Sequence, residues 1–275
     1  MKLYRTPHGA VLEQAGAYYD VSTDWDTLLN HHDLVAYLRH ASSRSSGRSE
    51  LGDRVLAPIG TQEVWAAGVT YYRSRAARIE ESRDAGGATF YDKVYEAERP
   101  ELFFKAPAWR VRASGEPVRV RRDARWTVPE PEIALCINAR GTIVGYTIGN
   151  DMSSRDIEGE NPLYLPQAKI YDGACAMGPA MLVSTDPLPP DTAIELRVTR
   201  GGTAVVGGRT TFSQMRRNPG ELVEFLYRET TFPTGCVLLT GTGIVPPDDF
   251  TLQSGDEIRI DVPSIGTLTN PVGAT

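Results

Sequence analysis

Short apolar runs separated by turn residues dominate the chain from residue 101 onward. Runs that are rich in Val, Ile, Leu and Phe and bounded by Gly, Pro or Asn are typical of β-strands. No internal repeat and no regular alternation of strands with helices occurs, which argues against Rossmann and TIM-barrel architectures. The pattern therefore predicts an α+β body that is mostly β, with a few helices outside it. The runs are ELFFK, EIALCI, TIVGYTIG, AMLVS, AIELRVT, CVLLTG and EIRIDV.

Three segments have helical character instead. DWDTLLNHHDLVAYLRHA (24–41) predicts an amphipathic helix that begins at the capping residue Asp24, and PGELVEFLYRET (219–230) predicts another helix. YYRSRAARIEESRDAGG (71–87) contains strong helix formers and ends in two glycines. We interpret this last segment as an exposed helix and a loop that orders over a ligand as a lid.

The polar stretch SSRSSGRS (42–49) has no hydrophobic period and predicts a linker or exposed loop. We therefore expect a small N-terminal domain over residues 1–60 and the main catalytic domain over residues 61–275. The basic run VRVRRDAR (118–125) predicts a solvated edge strand of that main domain.

Composition and charge exclude several classes of function. The net charge is −6 and the pI about 5.4, whereas a general nucleic-acid binder needs a basic surface to meet phosphates. The N-terminal residues lack the apolar core of a secretory signal, and no apolar stretch is long enough to span a bilayer. The three cysteines are far apart and odd in number, which predicts reduced thiols. A cytoplasmic protein without nucleic-acid or membrane partners is the expectation.

The histidine positions restrict the chemistry further. All four lie within the first 40 residues: His8, His31, His32 and His40. A Ser-His-Asp triad or a histidine-rich zinc site in the main domain would have to borrow its histidine from the N-terminal segment. Neither of these sites is therefore the simplest interpretation.

A predicted hairpin brings acidic residues together. The strand-like runs around NARG predict an antiparallel turn, in which Glu132 faces Thr147, Glu130 faces Gly149 and Val128 faces Asp151. Because residues two apart share a face of a strand, Glu130, Glu132 and Asp151 then project to one side.

Three converging carboxylates repel one another unless a positive charge lies between them. A hard divalent cation with oxygen ligands, Mg²⁺, Mn²⁺ or Ca²⁺, would relieve that repulsion. The alternative is a solvated acidic edge strand, since Pro131 lacks a backbone donor and such residues favour edges. Spacing alone leaves both interpretations open.

Several motifs occur in an order that resembles the fumarylacetoacetate hydrolase superfamily. They are PEPEIAL (129–135), YTIGNDMSSRD (146–156), Lys169 and LLTGTGIVPP (238–247). The resemblance begins near residue 61 and reaches the C-terminus. It implies a mixed β-roll with a small N-terminal domain, usually assembled as a homodimer or a homotetramer.

The resemblance also implies roles for individual residues. Arg155 supports the metal site and is also a candidate for contact with the substrate, Lys169 contacts the substrate, and Thr242 binds a substrate carboxylate. Tyr164, Ser74 and Arg75 are candidates for the wall of the pocket. The implied ligands of Mg²⁺ or Ca²⁺ are Glu130, Glu132 and Asp151.

One departure from the hydrolases changes the expected reaction. Hydrolase members carry a histidine that activates water, whereas GVTYYRSR (68–75) has Ser74 or Arg75 at that place. Loss of a general base commonly costs a factor of about 10² to 10⁴ in rate. A hydrolase is therefore disfavoured.

Two other stretches, RPELFFK (99–105) and EGENPLYLPQAKIYDG (158–173), resemble 2-keto-3-deoxy-pentonate dehydratases of the same superfamily. The implied reaction is dehydration of a 2-keto acid to 2,5-dioxopentanoate through a metal-stabilised enolate. Glu101 and Lys169 form the implied acid/base pair; we take Lys169 as the base, although the sequence does not determine the order. The alternatives are a hydrolase or decarboxylase of an acylpyruvate or another β-dicarbonyl compound, and a non-catalytic metal-binding protein.

Overall fold

The apolar runs of the sequence form a nine-stranded mixed sheet at the centre of the protein. The computed structural model describes residues 1–52, 54–72 and 93–274. Within these residues the strand order of the large sheet is β3-β2-β1-β10-β8-β7-β13-β4-β5. Its strands are β1 (Lys2–Thr6), β2 (Gly9–Gln14), β3 (Ala17–Val21), β4 (Glu63–Gly68), β5 (Glu101–Pro107), β7 (Pro131–Ile137), β8 (Ile143–Asp151), β10 (Cys175–Val183) and β13 (Cys236–Leu239).

Two smaller sheets and several helices lie beside the large sheet in the described part of the chain. A four-stranded sheet has the order β12-β11-β14-β15, and β6 pairs with β9. These strands are β6 (Thr127–Val128), β9 (Ser153–Ser154), β11 (Ala193–Arg200), β12 (Thr203–Thr211), β14 (Glu257–Val262) and β15 (Gly266–Pro271). The helices are α1 (Trp25–Leu29), α2 (Leu34–Ser43), α3 (Arg155–Glu160), α4 (Leu165–Lys169) and α5 (Pro219–Tyr227). The mostly β, α+β architecture predicted from the sequence is confirmed.

The main core lies between the large sheet and the four-stranded sheet. Ile133, Leu135 and Ile148 of the large sheet share one buried cluster with Ile258 and Ile260 of the smaller sheet. Strand β7 is buried on both faces along its whole length, which explains its nearly continuous apolar sequence.

The hairpin register differs by two residues from the predicted one. Glu132 lies opposite Gly149, and the backbone N–H of Asp151 donates to the Glu130 carbonyl at 3.0 Å. The turn is longer than predicted, and a bulge between the pairs Cys136–Gly145 and Ile137–Ile143 adds a further residue. Because side chains alternate with a period of two, this shift leaves the carboxylates on the predicted face.

Pro131 does not mark a sheet edge, so that interpretation was wrong. Strand β7 is central, since it pairs with β8 on one side and with β13 on the other. Pairing with β13 begins only at Ala134. As the first residue of its strand, Pro131 can lack an N–H without removing a ladder hydrogen bond.

The basic run 118–125 is irregular and not an edge strand. Val118 within it is fully buried, and its neighbourhood is anchored by a bridge to Val272. The side chain of Arg121 binds the carboxylate of Asp123. Local charge pairing, one buried valine and this single backbone bridge therefore hold the segment.

The predicted helix at 24–41 is divided into α1 and α2, because the segment contains two capping residues. The Asp24 side chain accepts from the Thr27 N–H, and that of Asp33 accepts from the Ala36 N–H. The second cap starts a new helix after Asn30. Helix α5 confirms the helix predicted within 219–230, whereas residues 73–92 of the predicted lid lie outside the described residues.

The N-terminal strands extend the large sheet. Strand β1 pairs with β10, and Leu3, Leu12 and Leu28 share a buried cluster with Met181 and Val183. The predicted linker at 42–49 is partly structured, since its first residues end α2. The domain boundary at residue 60 stays a prediction. Among the described residues, every helix falls short of the length and hydropathy that a membrane crossing requires.

Replacing the buried Leu3 by alanine tests whether the N-terminal strands fold together with the rest. We expect Leu3→Ala to lower the free energy of unfolding by about 2–5 kcal/mol, because the side chain is fully buried. A single transition in urea, monitored by far-UV circular dichroism and tryptophan fluorescence, should move as a whole. Leu163→Ala is the control, since Leu163 is 84% exposed and should change stability little. Two separate transitions, with only one displaced, would contradict a shared folding unit.

Candidate metal centre and active site

Three carboxylates converge at the open end of the β7–β8 hairpin, where β7 begins and β8 ends. Glu130 precedes β7, Glu132 belongs to it, and Asp151 is the last residue of β8. All three are buried, and one oxygen of each lies within 4.8 Å of the others. The alternative of a solvated acidic strand is wrong, because these side chains face the interior.

Burial and mutual repulsion define the electrostatics of this cluster. Desolvation raises the pKa of Glu132 well above its usual range, and the nearby charges of Asp151 and Glu130 raise it further. The ammonium of Lys169 and the Gly241 N–H oppose that rise in pKa without cancelling it. The cluster therefore favours an additional positive charge.

Two buried lysines and one buried arginine contact the carboxylates. Lys169 Nζ donates to Glu130 Oε2 at 2.5 Å, to Asp151 Oδ2 at 3.1 Å and to Ser153 Oγ at 2.6 Å. Arg155 Nη2 donates to Glu130 Oε1 at 2.7 Å. Lys105 Nζ forms an ion pair with Asp151 Oδ1. Each cation thus fixes at least one carboxylate.

Formal charges at the site fit a divalent cation. Five carboxylates border the cavity. Three cationic side chains either line the cavity or contact those carboxylates. Among the described residues, the sum of these formal charges is −2. Oxygen donors in a buried, negatively charged space suit Mg²⁺, Mn²⁺ or Ca²⁺. The carboxylates are Glu101, Glu130, Glu132, Asp151 and Glu158, and the cations are Lys105, Arg155 and Lys169.

The Glu101 side chain reaches the cavity by passing over Gly68, which has no side chain of its own. It is the first residue of β5 and lies opposite Gly68 of β4. A Cβ atom at residue 68 would lie 2.1 Å from Glu101 Oε2, so any other residue would displace this carboxylate from its observed position. The next residue, Val69, has a φ of +52°, which is rare for a β-branched residue. The backbone bends sharply here, and such strain occurs often at functional sites.

A second glycine supplies a backbone donor. Gly241 has a φ of +88°, and its N–H donates to Glu132 Oε2 at 2.6 Å. A Cβ here would lie 2.1 Å from Thr70 Oγ1. Thr242 follows at the cavity wall, and its hydroxyl accepts from the Ile244 N–H at 3.1 Å.

The structure brings most of the predicted site residues to one cavity. Arg155 lies behind Glu130 and contacts it, whereas Tyr164 is partly exposed and does not line the cavity. Ser74 and Arg75 lie outside the described residues. The predicted residues that line the cavity are Glu101, Glu130, Glu132, Asp151, Lys169 and Thr242.

Sequence reasoning missed Lys105 and Glu158. Lys105 is fully buried although it follows the apolar residues of ELFFK, where a lysine is expected to reach solvent. Glu158 is buried at the cavity wall. The only available signal was that both residues end or begin the stretches used for the dehydratase resemblance, Lys105 ending RPELFFK and Glu158 beginning EGENPLYLPQAKIYDG.

The β-rich fold and the buried carboxylate triad together define a protein built around a candidate divalent-cation site. Residues 69–273 match the family model described as fumarylacetoacetate (FAA) hydrolase C-terminal. This match covers most of the chain, and the chain therefore belongs to the fumarylacetoacetate hydrolase family.

Two relatives are similar over most of their length. A probable 2-keto-3-deoxyxylonate dehydratase of Haloferax volcanii is 47% identical over 216 residues, which is 78% of this chain and 73% of the relative. A 2-dehydro-3-deoxy-D-arabinonate dehydratase of Saccharolobus solfataricus is 44% identical over 221 residues, or 80% and 74% of the two chains.

A solved structure extends the similarity to the whole fold. It is 2-keto-3-deoxy-D-arabinonate dehydratase complexed with magnesium and 2,5-dioxopentanoate. The TM-score is 0.84 at 35% identity, with 99% of each chain covered. The shared fold therefore includes the N-terminal strands that the family model does not cover.

Substitution of Gly241, whose N–H donates to Glu132, tests whether the close packing around this glycine matters for stability. We expect Gly241→Ala to lower the free energy of unfolding by more than about 1–3 kcal/mol, because a clash adds to the cost of the positive φ. Gly255→Ala is the matched control, since Gly255 has a φ of +89° and open space around its Cβ position. Urea unfolding of both variants separates the two effects. Equal losses in the two variants would show that the contact with Thr70 has no effect on stability.

Proposed function

We propose that this protein catalyses the divalent-cation-dependent dehydration of a 2-keto-3-deoxy pentonate to 2,5-dioxopentanoate. The observation that carries the proposal is that Glu101 and Lys169 border the same cavity as the carboxylate triad. One acid/base pair beside one cation site is what elimination of water next to a ketone needs. The dehydratase names of the two relatives and of the solved structure support it.

The cation would be held by the carboxylates of Glu130, Glu132 and Asp151. When bound, Mg²⁺ would supply electrostatic stabilisation for negative charge that develops on the keto oxygen of the substrate. Arg155 holds Glu130 in place through its 2.7 Å hydrogen bond. The neighbouring Thr242 would offer its backbone N–H to the substrate carboxylate, and its hydroxyl would turn there from the Ile244 carbonyl, to which it donates at 3.2 Å.

Glu101 and Lys169 perform the proton transfers. One of them removes a proton from C3, and the other gives a proton to the hydroxyl that leaves C4 as water. The resulting 2-keto-3-ene acid becomes 2,5-dioxopentanoate by two tautomerisations. In the first, C5 loses a proton and C3 gains one, which moves the double bond to C4 and C5. In the second, the C5 hydroxyl of this enol loses its proton and C4 gains one, which gives the aldehyde. Burial of Lys169 keeps bulk water away from this exchange.

Assembly and location complete the proposal. We infer a cytoplasmic homodimer or homotetramer, on the basis of the family resemblance. The three cysteines are free and buried, as suits a reducing compartment. Light scattering coupled to size-exclusion chromatography would measure the assembly, and a monomer at micromolar concentration would contradict it.

The substrate assay tests the reaction. The purified protein, incubated with 2-keto-3-deoxyarabinonate and 2-keto-3-deoxyxylonate, should yield an aldehyde that an NAD(P)-dependent semialdehyde dehydrogenase oxidises. EDTA should abolish the signal and Mg²⁺ should restore it. Cleavage of acetylpyruvate without any turnover of these pentonates would favour a hydrolase instead.

Variants of the acid/base pair test the mechanism. Glu101→Gln and Lys169→Met should each lower kcat by about 10² to 10⁴. In D₂O, one variant should still exchange the C3 proton of the substrate, which identifies its missing group as the acid. The controls are Glu63→Gln and Lys2→Met, whose side chains lie outside the cavity. If both pair variants exchange C3 at the wild-type rate, neither residue is the base.

A further inference from the structure

Each carboxylate of the triad has one oxygen occupied by a donor of the protein itself. Arg155 occupies Glu130 Oε1, the Gly241 N–H occupies Glu132 Oε2, and Lys105 occupies Asp151 Oδ1. The opposite oxygens of Glu130 and Asp151 accept hydrogen bonds from Lys169 Nζ, at 2.5 Å and 3.1 Å. Lys169 lines the cavity, whereas Arg155 and Lys105 do not, so in both carboxylates the oxygen on the cavity side is the one that a cation would share with Lys169.

Lys105 is the most firmly fixed of these donors. Its side chain is fully buried, and Nζ also donates to the carbonyls of Met152 at 3.1 Å and Lys169 at 2.6 Å. Rotation of Asp151 away from this ammonium would leave a buried charge without its partner, which is costly. Because Lys105 does not line the cavity, it acts on the site through Asp151 and not on a substrate.

Ligation through one oxygen per carboxylate discriminates between divalent cations. Mg²⁺ is small and needs a near-octahedral shell at about 2.0–2.1 Å, which single oxygens and water molecules provide. Ca²⁺ takes more oxygens at longer distances and readily accepts both oxygens of one carboxylate. A triad restricted to single oxygens lacks the ligands that Ca²⁺ gains from chelating carboxylates.

We propose that Lys105 is a positioning residue that restricts Asp151 to one-oxygen ligation and so makes the centre prefer Mg²⁺ over Ca²⁺. This inference rests on the proposed function, since it assumes that the triad holds the cation. Among the three donors, Lys105 is the most suitable for substitution. Gly241 acts through its backbone, and Arg155 belongs to the predicted substrate-binding set.

Calorimetric titration of Mg²⁺ and of Ca²⁺ into the metal-depleted protein tests the proposal without any measurement of activity. Lys105→Met removes the donor and frees Asp151 Oδ1. We expect the ratio of the Ca²⁺ Kd to the Mg²⁺ Kd to fall by about tenfold or more, the range in which outer-shell contacts affect metal binding. Lys105→Gln should keep the wild-type ratio, because its amide N–H can still donate to that oxygen.

Lys2→Met is the matched control, since Lys2 lies in β1 and its side chain is partly exposed. Its Kd ratio should equal that of the wild type. An unchanged ratio in a folded Lys105→Met variant would overturn the proposal. If that variant does not fold, the wild type alone decides, and a Ca²⁺ Kd equal to or lower than its Mg²⁺ Kd would overturn the proposal. If the wild type binds neither metal, the proposed metal site itself is wrong.

Discussion

The burial of like charges beside one another is the constraint on which the rest of this structure depends. Three carboxylates lie at the end of one hairpin with almost no access to water. Such a cluster is unstable unless cations and fixed N–H groups surround it. The protein supplies these from β5, α3, α4 and the turn after β13, which are far apart in the sequence. These elements therefore meet at the place where the negative charge of the three carboxylates must be balanced.

The same constraint suits the chemistry proposed for this centre. Charge that the protein already compensates needs no rearrangement when a substrate arrives, because the surrounding dipoles are already oriented. The acid/base candidates border this space from different elements, Glu101 from a strand and Lys169 from the end of a short helix. Neither of them therefore belongs to the hairpin that carries the carboxylates.

Local patterns in the sequence predicted the strands, α5 and the face on which the acidic residues lie. The predicted face of the acidic residues was correct although the predicted hairpin register was wrong. The register error was an even number of residues, and side chains alternate between the two faces with a period of two. The bulge beside Cys136 and the break after Asn30 were not predictable, since they depend on tertiary packing and on competition between two caps. Lys105 was missed for a related reason, because its acceptors lie 47 and 64 residues further along the chain. The residue that looked most like a surface lysine is one of the most buried.

The contact between Gly68 and Glu101 determines what a mutation at position 68 would change. Because the carboxylate fills the volume of a missing side chain, a side chain at position 68 would push it out of that volume. The end of a glutamate side chain can rotate away, so this displacement costs little stability, but the carboxylate would leave its observed position. Such a mutation would therefore be silent in any screen for folding or thermal stability.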